Sequence, residues 1–382
     1  MPEIILPIVQ NLADRLNEKR PLIQVIRGPR QVGKTTSLEQ LCKLKVFKNK
    51  IHFTSGDGIQ TSSWIEEQWQ FAYDQNLILI IDEIQKIPNW DETIKKLWDE
   101  SIKKNRHIKC VLTGSSSLNL QKGLTESLTG RFEELSLFHW DFELSNKLHP
   151  KMTLDVFLKY GGYPGSYQFI NDTTRWTKYI TQSIVETVIG KDILFQTSVR
   201  SPALFRQSFN LICSYPAQVV SYNKILGQLQ DKGNIDLVKH YIDLFESAYL
   251  IKTIPKFSKN EIKKKGSSPK IIPFAPALST FFRTDEISPE TLGRIFEAHI
   301  GTLFLKNGFN IYYWAEGDYE LDYIIEYKNK IIVFDVKSGR KRKSNSINEF
   351  LKKYPNAKLI FIDKLNYLNF SKNIEKFIND RV

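Results

Sequence analysis

The chain has 382 residues, too long for one ordinary hydrophobic core, so two or three domains are expected. Hydrophobic residues make up 41% and charged residues 25%, the balance of a globular protein in water. No apolar run approaches the roughly 20 residues that span a bilayer, which excludes a helical membrane protein. The net charge of +12 favours polyanionic partners such as DNA, because Lys and Arg neutralise phosphates and release condensed counterions.

Met1-Pro2-Glu3-Ile4 opens neither a basic nor a long apolar signal segment. Cys42, Cys110 and Cys213 show no CxxC spacing and read as core residues rather than metal ligands. A cytoplasmic protein is expected.

Residues 8–17 read as a helical leader. Strand-like runs follow at 22–26, 51–54, 77–81, 108–113 and 132–138, with helical patterns at 35–43, 64–74 and 90–104 between them. Strands separated by helices of this length predict an α/β fold, a parallel sheet with helices on both faces. Leu77-Ile78-Leu79-Ile80-Ile81 is uninterrupted, as a central strand buried on both sides requires.

Gly28-Pro29-Arg30-Gln31-Val32-Gly33-Lys34-Thr35 joins the first strand to the first helix, and Thr36 follows it. This is the phosphate-binding loop pattern in the context it needs. Two glycines let the backbone curl so that successive N–H groups face the phosphates, and the helix N-terminus adds partial positive charge. Lys34 is expected to reach the β- and γ-phosphates, and the Thr35 hydroxyl to ligate magnesium. Asp82-Glu83 ends the apolar strand where parallel sheets bind ligands. Asp82 is expected to hold Mg2+ and Glu83 to polarise the attacking water, with Lys34 and Glu83 the catalytic groups of an ATPase. The loop also serves small-molecule kinases, but a dedicated Asp-Glu pair suits hydrolysis better.

Residues 20–140 resemble the core of the AAA+ ATPases, with Val111-Leu112-Thr113-Gly114-Ser115 ending a further strand. The resemblance implies that Ser115 or Ser116 senses the γ-phosphate. It also marks Arg131, in Thr129-Gly130-Arg131, as an arginine finger supplied from a neighbouring subunit of a homo-oligomer, or as an ordinary structural arginine. A wider match is carried by Asp82-Glu83-Ile84-Gln85 with Pro88-Asn89-Trp90, by Thr113-Gly114-Ser115-Ser116, by Gly161-Gly162-Tyr163-Pro164 and by Lys191-Asp192-Ile193. These are similar to a prokaryotic family of AAA-type ATPases with a C-terminal nuclease-like domain. One departure is visible: after Pro269-Lys270, Ala275 and Ala277 stand where that family carries Asp and Gly.

Composition divides the chain at about 1–145, 146–255 and 256–382. The middle region is helical, and 221–250 reads either as a winged-helix-like DNA contact or as core packing. The last region reads as an α/β domain with a helix at 289–307 and strands at 310–314, 321–327, 331–336 and 358–362. If Lys328-Asn329 make a two-residue turn, paired residue numbers sum to 657 and Asp322 lies opposite Asp335 on one face, with Lys337 following. Two facing carboxylates repel, so a divalent metal or Lys337 must offset them. Phe296-Glu297, Leu321-Asp322 and Asp335-Val336-Lys337 resemble the PD-(D/E)xK nuclease core. That resemblance implies magnesium on Asp322 and Asp335, with Glu297 and Lys337 assisting. An exposed hairpin with a Lys–Asp pair is the competing reading. Two functions stay open: an ATP-driven protein whose C-terminal domain binds or cuts DNA, and a nucleotide-controlled scaffold for a protein partner.

Overall fold

Five short strands pair into one parallel sheet, with three buried apolar runs at its centre and two mixed, partly exposed strands at its edges. They are β1 (Ile23–Arg27), β2 (Ile51–Ser55), β3 (Ile78–Asp82), β4 (Cys110–Thr113) and β5 (Phe132–Ser136), in the spatial order β2-β3-β4-β1-β5. The computed structural model describes residues 4–19, 22–114, 123–124, 127–195, 197, 199, 201–229, 234–258, 267–337 and 345–382. Helices α1 (Pro7–Leu16), α2 (Lys34–Lys43), α3 (Ser62–Asp74) and α4 (Trp90–Lys103) flank the sheet.

Alternation along the strands sends Val25, Leu79, Ile81 and Leu112 to one face, where they pack with Ile65 and Trp69 of α3 and Ile94 and Trp98 of α4. The opposite face carries Gln24, whose side-chain oxygen accepts from Arg15 of α1. Residues before α1 are tied to α2 in both directions: Leu6 N donates to Gln40 Oε1 at 2.9 Å, and Gln40 Nε2 donates to Ile4 O at 2.7 Å.

Contacts gather the chain into two units. One comprises Met1–Phe138, Ile184–Ser198 and Ser247–Tyr249; the other comprises His139–Ser183, Val199–Glu246 and Leu250–Val382. The segment 146–255 is therefore shared between them.

In the second unit, Tyr222–Gly227 and Ile235–Ser247 form the expected helix pair. The latter buries Val238, Tyr241, Ile242, Leu244 and Phe245, and the Phe245 ring lies 4.5 Å from that of Phe205 on Pro202–Cys213. That face is core. Strands β6 (Ile251–Ile254) and β7 (Lys270–Pro273) form an antiparallel pair. The strands β8 (Ile311–Glu316), β9 (Tyr319–Tyr327), β10 (Lys330–Lys337) and β11 (Lys358–Asp363) form a separate mixed sheet in the order β11-β10-β9-β8.

Lys328 (φ 48°) and Asn329 (φ 62°) make the two-residue turn between β9 and β10. Two left-handed residues match the twist of a hairpin. The pairing runs from Lys330 opposite Tyr327 to Phe334 opposite Tyr323, the register expected from the sequence. Among the described residues, no helix is long and apolar enough to cross a membrane.

Candidate functional site

The phosphate loop fills the gap between Arg27, the last residue of β1, and Lys34, the first of α2. Leu137 N donates to Arg27 O at 2.7 Å, which draws the end of β5 against the loop. A Cβ at position 28 would lie 2.0 Å from Leu137 O, so only glycine fits there. Gln31 (φ 58°) and Gly33 (φ 102°) take left-handed conformations that turn the chain into the helix, where Ser37 N donates to Gly33 O. Pro29 and Val32 are buried and anchor the loop, while Gln31, Thr35 and Thr36 stand exposed at its mouth.

Lys34 is buried and its Nζ donates to Gly28 O at 2.9 Å and Pro29 O at 2.7 Å. Its ammonium thus lies folded across the loop. Burial lowers the Lys34 pKa from 10.5 to about 8, and the nearby Glu83 carboxylate only partly opposes that. The phosphates of ATP favour the charged ammonium, so binding takes up a proton wherever free Lys34 has lost one. ATP affinity is therefore expected to be full below pH 8 and to fall as pH rises past it, by up to about tenfold per unit. Calorimetric titrations from about pH 7 to about pH 9.5 check this, and an affinity that stays flat would contradict it.

Asp82 ends β3 beside the loop. Its Oδ2 accepts from Thr35 Oγ1 at 2.8 Å, and its Oδ1 accepts from Thr113 Oγ1 at 2.9 Å and from Glu83 N at 3.0 Å. The Thr35 hydroxyl and Asp82 carboxylate are hard oxygen donors brought together from two elements, a fit for magnesium. Thr113 opens the Thr113-Gly114-Ser115-Ser116 run, but its grip on Asp82 has no local sequence signature. Glu83 sits in a left-handed turn (φ 53°), and its Oε2 accepts from Gln85 Nε2 at 2.6 Å. Ser115 and Ser116 lie outside the described residues.

Two arginines are placed differently. Arg30 points its guanidinium at Asp192, with Nε donating to Oδ2 at 2.6 Å and Nη2 to Oδ1 at 2.5 Å. Hydrogen bonding to Asp192 holds its pKa above the ordinary value. Arg131 O accepts from Ile23 N at 3.0 Å, at the start of β1, whereas the phosphate loop leaves the far end of that strand. The Arg131 guanidinium is bidentate to Asp99 of α4, at 2.8 and 2.9 Å. The structure does not bring Arg131 to the nucleotide site of its own chain.

In the second unit, Lys270 lies at the start of β7 and is fully buried. Its Nζ is 2.5 Å from Glu297 Oε1, 3.2 Å from Glu320 Oε1 and 3.7 Å from Asp322 Oδ1. Burial pulls the Lys270 pKa down, but Glu297, Asp322 and Glu320 outweigh it and hold it above the ordinary value, so Lys270 is a cation. The remaining Asp322 oxygen, Oδ2, accepts from Val336 N at 2.8 Å. Asp335 pairs with Lys337 Nζ.

Glu297, Glu320 and Asp322 offer oxygens within 4.8 Å of one another, a metal-like spacing. Yet the Lys270 ammonium stands among them, in the space an ion needs. The expected magnesium on Asp322 and Asp335 is thus a poor fit: Asp322 is committed to Lys270 and Val336, and Asp335 to Lys337. Sequence reasoning missed Lys270 and Glu320 because neither sits in the acidic motifs.

Residues 20–144 match the family model of an AAA domain, while 153–280 and 292–380 match two domains of unknown function, DUF8612 and DUF4143. An uncharacterized Methanocaldococcus jannaschii protein, MJ1544, is 24% identical over 339 residues, covering 81% of this chain and 74% of its own. A second, MJ1637, is 31% identical over 118 residues, 28% of this chain and 24% of its own. Among solved structures, a Thermotoga maritima RuvB variant is 16% identical with a TM-score of 0.33, covering 67% of this chain and 90% of that one. The Aeropyrum pernix ORC1 protein in complex with DNA is 14% identical with a TM-score of 0.29, covering 71% and 90%. At these TM-scores the likeness supports no functional reading. Residues 20–144 of this chain are thus similar to an AAA domain and carry its phosphate-binding loop.

Proposed function

We propose that the protein binds ATP with magnesium and hydrolyses it, and that its nucleotide state governs a C-terminal unit that binds DNA without cutting it. The observation that carries the ATPase reading is the Thr35–Asp82 hydrogen bond at 2.8 Å, beside the buried Lys34. Magnesium held by these two oxygens would offset phosphate charge. Lys34 leaves the Gly28 and Pro29 carbonyls for the phosphates, and the amides of the loop and α2 cradle them. Glu83, steadied by Gln85, orients the attacking water and accepts its proton.

The C-terminal reading rests on charge and burial. A net charge of +12 favours DNA. Glu297, Asp322 and Asp335 are buried and neutralised by Lys270 and Lys337, which supports a binding role over phosphodiester hydrolysis. The same neutralised cluster also suits a scaffold that holds a protein partner.

Steady-state turnover, with and without magnesium and duplex DNA, separates these. Turnover should require magnesium and rise with DNA, and the stimulation should fade as salt increases. Glu83→Gln should retain ATP and lose about a hundredfold in turnover. Wild-type turnover in Glu83→Gln sinks the water-orienting role, and turnover indifferent to DNA favours the scaffold. Magnesium-dependent DNA cleavage that disappears in Asp322→Ala would overturn the non-cutting reading.

A further inference from the structure

Asp192 is only 2% exposed, and a buried carboxylate is costly without a cation. Its cation is the third residue of the phosphate loop. Both Asp192 oxygens are taken by the Arg30 fork, at 2.5 and 2.6 Å. A planar guanidinium that matches a carboxylate in two parallel hydrogen bonds matches a phosphate equally well. Arg30 is placed for either partner. Its side chain is 27% exposed, its charge acts on Lys34, and Glu83 and Asp57 act on it in turn.

The element carrying Asp192 is unusual. Val188–Leu194 is wound as a π-helix, a form that is rare and gathers at functional sites. It lies within Ile184–Ser198, a stretch that belongs to the nucleotide-binding unit although the chain on either side of it belongs to the other unit. A loop residue expected to meet the nucleotide is thus held by a segment more than 150 positions away in sequence.

We propose that Asp192 is a positioning residue that sets the preference between ATP and ADP: it holds Arg30 through both carboxylate oxygens, and only a γ-phosphate takes Arg30 from it. The inference rests on the ATPase reading above. ADP leaves the Arg30–Asp192 pair intact. ATP draws the guanidinium away and leaves Asp192 buried without its cation, so residues 184–198 must rearrange to solvate it. The terminal phosphate is thereby reported to a segment outside the nucleotide motifs.

The test measures ATP and ADP affinities in wild type, Asp192→Asn and Asp192→Asn with Arg30→Ala. Freeing Arg30 in Asp192→Asn should raise the ATP-to-ADP affinity ratio by about tenfold, in the range of ordinary coupling energies. Adding Arg30→Ala should abolish that gain. A merely structural Asp192 would shift both nucleotides alike. An unchanged ratio in Asp192→Asn, or a gain that survives Arg30→Ala, overturns the proposal. Hydrogen exchange on the wild-type protein tests it without any substitution: amides in 184–198 should exchange faster with a non-hydrolysable ATP analogue than with ADP, and equal protection overturns it. Wild type that binds neither nucleotide would instead remove the ATPase reading itself, a distinct failure.

Discussion

Lys34→Ala is expected to raise the Kd for ATP about a thousandfold while leaving the nucleotide-free protein as stable as wild type. The two halves of this result have different causes. A lysine reaching two phosphates makes two charge-assisted hydrogen bonds, each contributing about 1.5–3 kcal/mol, and a thousandfold in affinity is about 4 kcal/mol. In the structure the same ammonium is buried against two neutral carbonyls, Gly28 O and Pro29 O. Burial lowers the Lys34 pKa and so disfavours its charge, and removing the ammonium is therefore expected to cost the loop little.

Thermal melts read both halves at once. ATP at about a hundred times its Kd should stabilise wild type by about 2.7 kcal/mol and leave Lys34→Ala unmoved. A variant that keeps the ATP-induced shift would show that the phosphates lie elsewhere. One that melts far below wild type without ATP would show that the loop depends on Lys34 for its shape.

Lys270→Met should destabilise the second unit by about 3–5 kcal/mol, the usual penalty for removing one partner of a buried ion cluster. Glu297 and Asp322 have side chains 4% and 0% exposed, so neither can turn to water when the ammonium is lost. Acid should rescue the variant, because protonating the carboxylates removes the unbalanced charge. Glu297→Gln in the Lys270→Met background should recover part of the loss for the same reason. The smaller Lys270→Ala leaves room among three carboxylates, and manganese or magnesium should then stabilise the nucleotide-free variant more than it does wild type. If Lys270→Met melts like wild type, the ammonium is not what holds these acids. If wild type gains as much from the ion as Lys270→Ala, the ammonium does not occupy the site.

Features carried by short stretches of chain were legible in the sequence. The phosphate loop is eight consecutive residues between a strand and a helix, and strand ends elsewhere in the first unit were placed within about two residues because each apolar run ends in turn chemistry. The β9–β10 register followed from one two-residue turn, since a hairpin has no freedom once its loop length is set.

What escaped was the pairing of distant charges. Arg30 with Asp192 and Lys270 with Glu297 span 162 and 27 positions, and nothing local to either residue says which partner it meets. Ile251-Lys252-Thr253-Ile254 escaped as a strand because four residues give too little alternation to recognise. The hairpin carrying Asp322 and Asp335 was read with the right turn and register as far as Phe334 opposite Tyr323, but the charge that balances Asp322 arrives from β7. A pattern confined to the motif cannot show that.

The tie between the residues before α1 and α2 bears on the phosphate loop as well. The Leu6 methyl lies 2.9 Å from where a Cβ of Gly33 would stand, so this stretch forms an outer wall of the turn that opens α2. Strand, turn and helix are consequently braced by a fourth piece that the motif does not include. Peeling residues 4–6 away would remove that wall and leave the turn at Gly33 less firmly held.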